Sequence, residues 1–150
     1  MKINLRILTL AFALCTSLAL RAVAEDKHEH KATPKGGRLL EKTTPHAEFV
    51  IEKDRSVTIN LYNHDMKSVA VTTQSATVIA SPTSGKTTIE FEKKSDSLVS
   101  KTKLPEGKDY NLVVQFKQTA DAKPQNFRFK LDLGTCGECK RAEYACSCGH

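Results

Sequence analysis

Between residues 38 and 133 apolar side chains recur at every second position in short runs, and this period limits the fold more than any other feature of the chain. Val57, Ile59 and Leu61 alternate strictly, as do Leu112, Val114 and Phe116, and Phe127, Phe129, Leu131 and Leu133. A period of two places alternate residues on one face of a strand. No window of this region carries a convincing 3.6-residue period. Candidate strands lie at 38–42, 47–53, 56–62, 68–73, 76–80, 86–93, 110–118 and 127–133, with 97–101 extending the pairing. Turn signals part them, among them Lys53-Asp54-Arg55, Asn63-His64-Asp65, Ser81-Pro82-Thr83-Ser84-Gly85 and Pro105-Glu106-Gly107. Seven or eight short strands at intervals of roughly 8–12 residues predict an all-β, immunoglobulin-like antiparallel β-sandwich. The expected core is Phe49, Ile51, Val57, Ile59, Leu61, Val69, Val71, Val78, Ile89, Phe91, Leu112, Val114, Phe116, Phe127, Phe129 and Leu131. Burying each such side chain contributes roughly 1.5–3 kcal/mol before entropy is set against it. A body of this kind is expected to fold without a disulfide.

Four domains of composition follow along the chain. Residues 1–24 read as a secretory signal: Lys2 and Arg6 precede an apolar run from Ile7 to Leu20, and Ala22-Val23-Ala24 is an A-x-A cleavage site. The run is short for a membrane-spanning helix, so the chain is not expected to span a membrane after cleavage. Leu14 stands before Cys15 where lipidation needs a small residue. Cleavage takes Cys15 with it and leaves four cysteines, an even number, which suits a periplasmic or secreted protein. The formal charge of +6 also falls, to +3, with the loss of Lys2, Arg6 and Arg21. So small a charge, spread over alternating strands, argues against nucleic acid as a partner. Residues 25–37 form a charged, His-containing linker expected to be disordered. Its His28 and His30 make an H-x-H pair, either a weak site for Cu(II), Zn(II) or Ni(II) or two solvated imidazoles. Residues 38–133 are the β-domain and 134–150 a Cys-rich tail.

That tail carries the chemistry. Cys136, Cys139, Cys146, Cys148 and His150 fall within fifteen residues, as C-x2-C followed after six residues by C-x-C-x-H. Four thiolates, or three with an imidazole, can close around Zn(II) or hold a softer ion such as Cu(I). Gly137 loosens the first turn, and Lys140 and Arg141 are expected to favour thiolates. Paired disulfides are the alternative. They would join Cys136 or Cys139 to Cys146 or Cys148, since neighbouring C-x-C cysteines pair only with strain. Thiol–disulfide exchange is a third reading, without a thioredoxin-like βαβ unit around the C-x2-C pair. Enzymatic activity is not expected: no G-x-S-x-G, H-E-x-x-H or phosphate-cradling glycine loop is present. His46 and His64, the histidines of the β-domain, read as exposed residues, with Met66 beside His64 as a conceivable copper contact.

One stretch resembles a known family. Pro34-Lys35-Gly36-Gly37-Arg38-Leu39-Leu40, Pro45-His46-Ala47-Glu48-Phe49-Val50, Val57-Thr58-Ile59-Asn60-Leu61-Tyr62 and Lys67-Ser68-Val69-Ala70 look like the small β-domain near the N-terminus of periplasmic adaptor subunits of heavy-metal efflux pumps. The resemblance spans about a quarter of the chain. The coiled-coil hairpin and lipoyl-like domain of a full adaptor have no counterpart here, and the Cys-rich tail lies outside the pattern. The resemblance implies an exported accessory module near metal handling, with a membrane efflux component as its partner.

Overall fold

The computed structural model describes residues 33–148. The signal at 1–24, Cys15, His28, His30 and His150 lie outside the described residues. Nine strands follow one another: β1 Arg38–Leu40, β2 His46–Ile51, β3 Val57–Tyr62, β4 Ser68–Val69, β5 Ser75–Ser81, β6 Thr87–Lys94, β7 Ser97–Ser100, β8 Asn111–Lys117 and β9 Gln125–Lys130. A single 3-10 turn, Glu143–Ala145, comes after them. Every pairing is antiparallel. The ladder runs β1-β2-β3-β7-β6-β5-β8-β9, with β4 paired to the far end of β3. β6 folds this ladder over on itself. Its first half, Thr87 to Glu90, pairs with β5, and its second half, Phe91 to Lys94, pairs with β7. A strand shared in this way turns the corner between two packed layers. The result is a curled antiparallel sheet nearly closed into a barrel. The all-β expectation holds at this level; the immunoglobulin-like arrangement is a finer assignment than this ladder establishes.

Alternation decides which face is buried. In β5 and β8 every second residue is buried: Ala76, Val78 and Ala80 in one, Leu112, Val114 and Phe116 in the other. All sixteen residues expected in the core belong to one apolar cluster, with Ile51, Val69, Phe91, Phe127 and Phe129 at its margin. The last strand ends earlier than its pattern predicts. β9 stops at Lys130, Leu131 is fully buried, and Leu133, which continues the alternation in the sequence, is 41% exposed. Leu131 still bonds across to the segment before β8: its amide donates to the Tyr110 carbonyl at 2.7 Å, and its own carbonyl accepts from the amide of Asp109, whose φ of 62 breaks the regular ladder there.

Alternation fails on β2 and β3. Glu48, Asn60 and Tyr62 share the outer face, since Glu48 is opposite Asn60, yet all three are buried. The cause is residues 33–37, which fold across that face. The Glu48 carboxylate accepts the Gly37 amide at 2.7 Å, the Lys35 amide at 3.1 Å and the Tyr62 hydroxyl at 2.7 Å. Gly36 at φ +74 makes the turn, and Thr33 Oγ1 closes it on the Gly37 carbonyl at 2.7 Å. Gly37 is needed for a different reason. A Cβ there would lie 2.4 Å from the Phe49 carbonyl oxygen and 2.7 Å from Val50 Cγ2. Burial, and then the bond to Glu48, push the Tyr62 hydroxyl well above its usual range, so it remains a donor. The end of the expected linker is thus fixed to the body by a buried carboxylate. Among the described residues no helix is long and apolar enough to cross a membrane.

Candidate metal centre

The tail after β9 forms a small hairpin. Thr135 bridges Ala142, the Glu143 amide bonds the Gly134 carbonyl at 2.8 Å, and the Tyr144 amide bonds the Asp132 carbonyl at 2.9 Å. At its tip the C-x2-C loop closes on itself. The Cys136 amide donates to the Arg141 carbonyl at 2.7 Å, and the Lys140 amide donates to the Cys136 carbonyl at 3.1 Å. The left-handed residue of this turn is Lys140, at φ 60; no side chain or backbone crowds Gly137. The turn therefore does not depend on the glycine to which its freedom was attributed. The 3-10 turn then reverses the chain and brings Cys146 and Cys148 back over the loop.

Four sulfurs meet there. The Sγ atoms of Cys136, Cys139, Cys146 and Cys148 all lie within 4.8 Å of one another. Cys146 is 3.3 Å from Cys136 and 3.7 Å from Cys139. A zinc ion with four thiolates at 2.3 Å spaces its sulfurs by about 3.8 Å, so these residues fit a tetrahedral site. None of the four is joined to another by a disulfide, whose S–S bond would be ~2.05 Å long. Cys136 is buried and the other three are half-exposed, so the cluster sits on the surface with one sulfur rooted inside. The Cys148 amide also donates to the Cys146 sulfur, at 3.3 Å. Amide bonds of this kind fix a ligating sulfur in place.

The expected help from Lys140 and Arg141 does not prevail. The Lys140 ammonium is turned to the Gly137 carbonyl at 2.5 Å. The Cys148 thiol is pushed up, first by its hydrogen bond with Cys146 and then by desolvation. At Cys146 the Cys148 amide favours the thiolate, but the bond with Cys136, desolvation and the Cys139 contact outweigh it, and that thiol too is raised. Sulfurs packed this closely repel one another as anions. A cation placed among them removes that penalty, and a coordinating thiol is deprotonated outright.

The remaining expectations fall elsewhere. His46 and His64 come together edge to face, with ring centroids 5.3 Å apart, a pairing that the place of one at a strand entrance and of the other in a later turn had not indicated. Among the described residues no third Cys, His, Asp or Glu completes a cluster with them. The residue that sequence reasoning missed is Tyr144. Buried in the core cluster, it lies against Phe49 and Phe129 at centroid distances of 6.2 and 6.5 Å. Through Tyr144 and Ala145 the tail joins the core of the body. No protein-family model, no curated protein and no solved structure matches the chain.

Proposed function

We propose that the protein is an exported, non-catalytic metal-binding accessory whose C-terminal thiolates hold Zn(II) or Cu(I). The convergence of four sulfurs within 4.8 Å carries this reading. Zn(II) is the better match, because it asks for four donors in a tetrahedron and four is the number that the described part of the tail assembles. Cu(I) shares the preference for thiolate. Export rests on the leader-like composition of residues 1–24 and on the even cysteine count after them. A link to heavy-metal efflux or homeostasis, with a membrane efflux component as partner, rests on the resemblance over residues 34–71. That stretch is the one that builds the clasp on Glu48 and strands β1 to β4.

A second reading has one observation in its favour. The two halves of the cysteine motif face each other, with the Cys136 and Cys146 sulfurs 3.3 Å apart. That arrangement suits an exported, non-enzymatic binding or structural module with a disulfide-stapled tail. Elemental analysis and thiol counting on protein secreted to an oxidising compartment separate the two. One equivalent of metal, and four reactive thiols after chelation, is the expected result. Neither metal nor reactive thiols would establish the stapled module instead.

A further inference from the structure

The two ends of the ladder, β1 and β9, approach each other without pairing. The side chains along this seam nevertheless touch. Phe49 of β2 and Phe129 of β9 meet edge to face at 5.3 Å, and the Arg38 guanidinium of β1 lies 4.8 Å over the Phe129 ring. Tyr144 sits across the same seam. Its ring stacks on Phe129 and meets Phe49 edge-on. Its carbonyl accepts from Arg38 Nη1 at 3.0 Å, and its hydroxyl accepts the Ile51 amide at 3.0 Å. One tail residue, two positions before Cys146, therefore reaches β1, β2 and β9 together.

Little else in the tail can keep it there. Among the described residues from Gly134 onward, only Cys136, Tyr144 and Ala145 are buried. A hairpin with so small an apolar stake is marginal unless it is cross-linked. The cysteines flank Tyr144 on both sides, so an ion held by Cys136, Cys139, Cys146 and Cys148 closes a loop that contains it. We infer that the cysteine cluster is a metal-operated latch: a bound ion holds Tyr144 in the seam between β1 and β9, and loss of the ion releases it and uncovers Phe49, Phe129 and the Ile51 amide. The inference rests on the metal-binding reading above. Coupling of this kind is reciprocal: if the ion secures Tyr144, Tyr144 must tighten the hold on the ion by the same factor.

The test is amide hydrogen exchange on the mature chain, loaded with one equivalent of Zn(II) and again after chelation, with metal content measured on the same samples. Ile51 exchange is expected to rise at least tenfold on chelation, while the Ile59 and Val114 amides of the central strands change little. Tyr144→Ala should still bind one Zn(II), with affinity lowered about tenfold or more. Tyr144→Phe keeps the ring and should expose the Ile51 amide even with metal bound. Unchanged Ile51 exchange after verified metal loss would overturn the latch and leave the metal site standing. Equal Zn(II) affinity in Tyr144→Ala, or a still-protected Ile51 amide in Tyr144→Phe, would do the same. A wild-type chain that binds no Zn(II) or Cu(I) removes the metal site, and the latch goes with it.

Discussion

Two short segments, one from each end of the described chain, are tied down on strand β2. Residues 33–37 are held by Glu48, and the tail meets the Ile51 amide through Tyr144. Both are too small to bury much apolar area, so each depends on a polar centre. The centres differ in kind. Glu48 is satisfied from within the chain: two backbone amides and the Tyr62 hydroxyl surround one carboxylate. The cysteine cluster brings together four sulfurs that could hold a metal ion. The first clasp is complete when the chain folds. On the metal-binding reading proposed above, the second is completed by an ion from outside. A protein whose stability was the only requirement could have closed both ends in the first way.

The largest way to break this comparison is at Glu48. Glu48→Ala leaves the Gly37 amide and Tyr62 hydroxyl buried without a partner, and should cost about 3–5 kcal/mol, the usual penalty for breaking a buried charged network. Urea denaturation should show that loss equally in metal-loaded and chelated protein. A loss that appeared only with metal bound would mean the two clasps are not independent. Gly37→Ala acts on the same clasp through space alone. Its Cβ meets backbone at 2.4 Å, so the expected loss is about 1–3 kcal/mol, again without regard to metal.

The smallest effect is in the sign of the pH dependence. Without metal, the Cys146 and Cys148 thiols are held above their ordinary value of 9.0. The folded state therefore favours protonated sulfur. That contribution is whole below 9.0 and is lost as pH rises through the raised values. With metal, protons compete for the same sulfurs, and stability falls as pH drops. Unfolding midpoints followed against pH should slope in opposite directions for the two forms; parallel slopes would mean that no ion rests on the thiolates.

The strands were legible because a period of two is written into runs such as Val57, Ile59 and Leu61, and the observed cluster holds every residue so assigned. The cysteine motif was legible as a donor set, because two pairs at short spacing must lie close wherever the hairpin turns. What the sequence hid was long-range cover. Glu48 follows the pattern of an outward strand position; it is buried only because residues 33–37 lie over it. Tyr144 is the one large apolar side chain between Gly134 and His150, with no periodic run to mark it as core. Its partners Phe49 and Phe129 belong to strands far back in the chain. The acidity expected at the cysteines failed for a local reason. Charge from Lys140 was counted from its place in the sequence, but its ammonium points to the Gly137 carbonyl, and the sulfurs crowd one another instead.

The most direct test is equilibrium unfolding of the mature chain with one equivalent of Zn(II), compared with the same protein after chelation under reducing conditions. A tail completed by an ion predicts a midpoint that falls clearly when the ion is removed and returns when it is restored, by about 4 kcal/mol at a thousandfold excess of free ion over Kd. A midpoint indifferent to chelator, in protein from which no metal is recovered, would contradict the account.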